Sequence, residues 1–91
     1  MSYPTFRKDP DAVLDYKFDF SQWLTGETIL TRTVVVDPGI TKDSDSITDS
    51  STSVTVWLSG GTAGTAYNVA CKITTATRTD ERTITIIVGE R

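Results

Sequence analysis

The sequence predicts an all-β fold, a two-layer sandwich of about six or seven short strands, and three observations carry that expectation. The 91-residue chain is rich in threonine and poor in alanine, leucine, glutamate and lysine, which favours pleated strands over helices. Several segments alternate apolar and polar residues with the period of two of half-buried strands. Turn residues interrupt those segments at regular spacing, the pattern of short antiparallel strands.

Residues 1–12 carry Pro4 and Pro10 and mixed charges without periodicity, so they are expected to form an extended N-terminal arm ahead of one domain spanning residues 13–91. Leu14, Tyr16, Phe18 and Phe20 then alternate with Asp15, Lys17 and Asp19, the clearest strand signal in the chain. Ser21 as a cap and Gly26 as a closing residue predict a short helical or tight turn around Trp23. Residues 27–36 are largely β-branched and read as a second strand, ended by the turn-forming run Asp37-Pro38-Gly39. Residues 40–53 are mostly Ser, Thr and Asp, with Ile40 and Ile47 as their only aliphatics, and are expected to be an exposed edge strand plus a loop.

Val54, Val56 and Leu58 alternate with Thr55, Trp57 and Ser59 in the next strand, and a glycine-rich loop at 60–64 carries the chain between sheets. Tyr67, Val69, Cys71 and Ile73 form the inward set of the following strand, and Ile84, Ile86 and Val88 that of the last. Leu58, the glycine-rich loop and Thr65-Ala66-Tyr67-Asn68-Val69 together resemble the stretch of fibronectin type III and related immunoglobulin-like sandwiches in which a tyrosine opens the penultimate strand. That resemblance implies an immunoglobulin/fibronectin III-like sandwich with Tyr67 as a tyrosine corner, its hydroxyl bonded back to the backbone. An ordinary core tyrosine is the alternative for this residue.

A chain this short holds one modest core, and with Cys71 as its single cysteine it cannot form an internal disulfide, so a partner subunit is the expected source of extra stability. The absence of histidine removes the commonest general base and the His-containing triads and zinc sites. Cys71 falls on the apolar face of a strand, which suits an inert structural thiol. Asp43, Asp45 and Asp49, near Asp37, invite a calcium reading, but Ile47 and Thr48 stand where a calcium-binding loop would want an oxygen ligand and a glycine, so a solvated acidic loop is expected. Gly60, Gly61 and Gly64 are followed by neither a lysine-serine pair nor a helix, which excludes a phosphate-cradling loop. No catalytic, cofactor-binding or metal-ligating residues are therefore assigned, and no cofactor is expected.

A net charge of −3 gives no electrostatic footprint for nucleic acid. No secretory signal or membrane-spanning run is evident, so synthesis in a cytoplasm without a membrane partner is expected. The candidate interface residues are Tyr3 and Phe6 in the arm, Trp57 on the outward face of its strand, and Ile84 and Ile86 in a final strand whose uncovered edge would recruit another strand. Trp23 is expected to plug one end of the sandwich.

Three further stretches bear on function. They are residues 8–24, from Lys8-Asp9-Pro10-Asp11-Ala12-Val13-Leu14 to Phe18-Asp19-Phe20-Ser21-Gln22-Trp23-Leu24; Val56-Trp57-Leu58-Ser59-Gly60-Gly61-Thr62-Ala63-Gly64-Thr65; and residues 73–84, with Arg78-Thr79-Asp80-Glu81-Arg82. Together they resemble the fibre-tail adaptor or neck proteins of tailed bacteriophages, although that family often has tryptophan where Phe20 stands. The resemblance implies a structural virion protein, made in the host cytoplasm, that joins tail, connector or fibre proteins and assembles with itself in a ring. An immunoglobulin-like module binding carbohydrate or a surface is the alternative, with Trp57 or Tyr3 stacked on a sugar and calcium held by the aspartates.

Overall fold

The computed structural model describes residues 4–89. Two sheets face each other with the apolar set between them. Strands β1 (Thr5–Lys8), β7 (Thr79–Val88), β6 (Ala66–Thr74) and β3 (Thr31–Val36) form a four-stranded sheet in that order, and β2 (Leu14–Asp19), β5 (Ser53–Gly60) and β4 (Ile40–Thr48) form a three-stranded one. All neighbours are antiparallel except β1 and β7, which run parallel from Thr5 opposite Thr85 to Lys8 opposite Val88. The alternation expected of the sequence is what fills the core: Phe18 from β2, Val54, Val56 and Leu58 from β5, Val69, Cys71 and Ile73 from β6, and Ile84, Ile86 and Val88 from β7 are all buried. The fold is thus the expected β-sandwich.

Three segments depart from the local reading. Only residues 31–36 of the stretch 27–36 are strand, because Glu27 is drawn to the far end of the molecule, where its carboxylate takes hydrogen bonds from Thr77 (2.7 Å) and Arg78 (2.7 Å). The short helix α1 (Ser21–Leu24) is capped by no side chain at its Phe20 N-cap; instead the Asp19 carboxylate accepts from the Ser21 amide, 2.9 Å away. The last strand is not an edge. Thr5–Lys8 lies along it, so β7 is interior, and Ile84 and Ile86 point into the core instead of presenting a surface.

One end of the sandwich gathers three crossings between the sheets, at residues 9–13, 37–39 and 61–65. Lys8 is fully buried there, and its ammonium donates to the carbonyls of Asp9 (2.9 Å) and Gly60 (2.8 Å), so one cation ties the first crossing to the third. A buried charge is tolerable only when it is well hydrogen-bonded, and these two carbonyls take two of the three ammonium donors. The Lys8 carbonyl in turn accepts from the Gly89 amide at 2.9 Å.

The sides of the sandwich are closed by different chemistry. Phe6 and Tyr16 meet between β1 and β2 with ring centroids 5.5 Å apart. Between β3 and β4, Asp45 bridges the sheets, pairing with Arg32 (2.7 Å) and with Lys42 (2.6 Å). The Lys42 hydrogen bond, with Arg32 adding to it, holds the Asp45 carboxyl below its ordinary range. The turn from β4 to β5 places Asp49, Ser50 and Ser51 at φ of 56°, 57° and 67°. Left-handed backbone costs about 1–2 kcal/mol per non-glycine residue, and neighbours hold it in place: the Ser51 carbonyl accepts from the Ile29 amide and the Thr52 carbonyl from the Phe20 amide.

Two outcomes follow. Lys8→Met keeps most of the buried stem but removes the ammonium donor from both carbonyls, that of Asp9 keeping only the Ala12 amide, and should lower unfolding free energy by about 2 kcal/mol in urea titrations; an unchanged midpoint would show that the ammonium holds nothing. Because the folded-state pKa of Asp45 is depressed, its contribution to stability is present above the unfolded carboxyl's pKa, about 4, and disappears as the pH falls through the lower folded value. Melting curves of Asp45→Asn should accordingly show lower stability at pH 7 and a shallower loss on acidification than the parent protein.

Candidate functional site

In β5 the inward positions Val54, Val56 and Leu58 leave Trp57 on the outer face of the three-stranded sheet, 42% exposed. Asp15 of β2 stands directly opposite it on one side and Ser44 of β4 on the other. A β-bulge between Lys42 and Ser44 inserts Asp43, whose carboxylate accepts from the Ser59 hydroxyl at 2.9 Å. Ser59 lies two residues along the strand from Trp57 and so shares its face. Trp57 is therefore a large aromatic ring on the central strand of this sheet, flanked by two exposed carboxylates and small hydroxyl side chains.

The acidic residues do not converge. Asp45 is taken by Arg32 and Lys42, Asp49 by Lys17 (2.9 Å) and Ser53 (2.7 Å), Asp43 by Ser59, and the Asp37 carboxylate accepts from the Asn68 amide (2.8 Å). Among the described residues no group of three or more His, Cys, Asp or Glu could hold a metal ion. Residues 40–53, expected to be an exposed edge strand plus a loop, are the edge strand β4 followed by a turn at 49–52, and their acids serve as hydrogen-bond acceptors.

Tyr67 is buried at the start of β6, and its hydroxyl accepts from the Thr62 amide at 2.9 Å, bonding back to the backbone of the preceding crossing. That donation holds the phenol below its ordinary pKa. Its ring fits because two crossings have no side chain at the point of contact: a Cβ on Gly39 would lie 2.9 Å from one ring edge, and a Cβ on Gly61 would lie 3.4 Å from the other and 2.7 Å from Val88. Both glycines also sit at positive φ.

At the opposite end Trp23 packs against the core, half-buried, with the Arg78 guanidinium 4.1 Å from its ring centroid. Arg78 reaches it by pairing with Glu27 and donating to the carbonyls of Trp23 (3.1 Å) and Leu24 (2.9 Å). Arg82 lies 4.5 Å over the Phe20 ring in the same manner. These arginines were not singled out in the sequence; the signal was the position of Arg78 and Arg82 near an expected turn. Cys71 is buried and its thiol is pushed up to about 12 by desolvation, which suits an inert side chain. Phe6 is 42% exposed on β1, and Tyr3 lies outside the described residues.

A protein-family model, podophage GP4 fiber-tail adaptor protein gp77, matches residues 8–87. The chain belongs to that family. The match encloses the segments in which the sequence alone resembled phage fibre-tail adaptors, and it begins at the buried Lys8. No curated protein and no solved structure matches the adaptor. Membership implies a structural role in the virion and binding to other phage tail and fibre proteins.

The geometry around Tyr67 makes a graded outcome. Tyr67→Phe removes one acceptor from a backbone amide and should cost about 1 kcal/mol, whereas Gly61→Ala meets Val88 and a positive φ together and should cost more. Equal melting temperatures for the two variants would mean that the adaptor's crossing relaxes freely around the ring.

Proposed function

We propose that this adaptor sits at the neck or tail of the phage particle, where several copies join tail or connector proteins to fibres or to each other, and that Trp57 is at the centre of one such contact. The observation that carries the reading is the outward tryptophan on the central strand of a sheet whose other face packs on the core through β2 and β5. Tryptophan is costly to leave in water and is enriched where protein partners meet. Phe6 and Tyr3 belong to a second contact near β1. The β1 strand is paired with β7 in its own sheet and tied to β5 of the other through Lys8, so docking by an arm falls to the residues that precede β1.

An acidic chain favours protein partners over nucleic acid, since phosphate repels it. Neighbouring subunits would also supply the stability that a small core without a disulfide lacks.

Quantitative mass spectrometry of purified particles, comparing copies of this protein with those of the portal, tests the placement. The expected result is a fixed stoichiometry with a simple ratio to the symmetry of the tail. Absence from particles would overturn the structural assignment and leave a free assembly helper or binding module.

A further inference from the structure

Two aromatic rings of this chain are finished in the same way. Arg78 lies over Trp23 while its guanidinium pairs with Glu27 at 2.7 Å, and Arg82 lies over Phe20 with Asp80 at 3.6 Å. Each is a trio of ring, guanidinium and carboxylate, in which the planar cation stacks on the ring and its edge meets the acid. Trp57 has two members of such a trio. Asp15 stands directly opposite on β2, where cross-strand Cβ atoms lie about 5 Å apart, and Asp43 is fixed beside Ser59 by the β4 bulge. Among the described residues neither carboxylate pairs with a cation, and the nearest lysine on that face, Lys17, is already engaged by Asp49.

We infer that the outer face of the β2–β5–β4 sheet receives an arginine side chain from another virion protein, stacked on Trp57 and paired with Asp15 and Asp43. This rests on the adaptor reading and adds the chemistry of the partner. Arginine fits better than lysine because a flat guanidinium covers an indole and still presents donors in its plane to a carboxylate. Exposed Val13 lies just ahead of β2, two residues before Asp15, and offers apolar surface to the stem of the incoming side chain. A different protein fits better than a second copy, because the chain is net acidic and two such faces repel.

The test uses the full chain, labelled with ¹⁵N, and a blocked Gly-Arg-Gly-Arg-Gly peptide as the probe, with the citrulline and lysine versions as controls. The Trp57 indole N–H signal should shift and saturate with the arginine peptide, roughly tenfold more tightly than with citrulline, and less tightly with lysine. The Trp23 indole, already covered by Arg78, should stay in place. Asp15→Asn with Asp43→Asn should erase most of the arginine preference, as should raised salt, and Trp57→Phe should weaken binding without unfolding the sandwich. An unmoved Trp57 signal, equal response to citrulline, or self-association through Trp57 in the absence of peptide would each overturn the inference. A protein that is present in particles but silent in this titration would overturn the arginine contact alone, whereas a protein absent from particles would overturn the adaptor reading whatever the titration shows.

Discussion

A single ammonium group, that of Lys8, decides how this small sandwich closes. Its two bonds reach the carbonyls of Asp9, in the first crossing, and Gly60, at the end of β5 in the other sheet, residues that lie far apart in sequence. Placing it there fixes the end of β1, and β1 in turn covers Thr85–Val88 of β7, part of an uncharged and strongly β-prone run that would otherwise be an open edge. The same end holds Tyr67 between Gly39 and Gly61. Lysine and tyrosine together fasten all three crossings, which is how a chain without a disulfide keeps two sheets in register.

The opposite end is fastened by cations of another kind. Arg78 links Glu27, the end of α1 and the Trp23 ring, and Arg82 links the Asp19 carbonyl to the Phe20 ring. Arginine suits an exposed end because it stays charged and stacks while half in water; lysine suits the sealed end because its stem fills the interior and its compact head needs only a few acceptors. The charges of this protein are thus used mainly to join elements, and the face around Trp57 is where carboxylates are left over.

Much of this was legible in the sequence. Leu14-Asp15-Tyr16-Lys17-Phe18 and Val54-Thr55-Val56-Trp57-Leu58 announce their strands by alternation, and that same alternation puts Trp57 outside. Asp-Pro-Gly at 37–39 and the glycines at 60–64 marked crossings for sound steric reasons. The role of Lys8 was not legible, because a lysine between prolines reads as solvated and its partners are non-local. The parallel pairing of β1 with β7 left no local trace either, which is why Ile84 and Ile86 were expected at an edge. In β4 the inward positions Lys42 and Asp45 are charged and paired across the sheets, so the strand lacks the apolar alternation that would have announced its full length.

Cys71 has a consequence for the life of the particle. A virion part persists in oxygenated surroundings, where exposed thiols oxidise or exchange. Here the only sulfhydryl faces Val34 across the β3–β6 pair, is fully buried, and is kept protonated by its apolar surroundings. The protein therefore brings no sulfur chemistry to its contacts with other tail and fibre proteins, and those contacts stay governed by interactions that can be made and unmade.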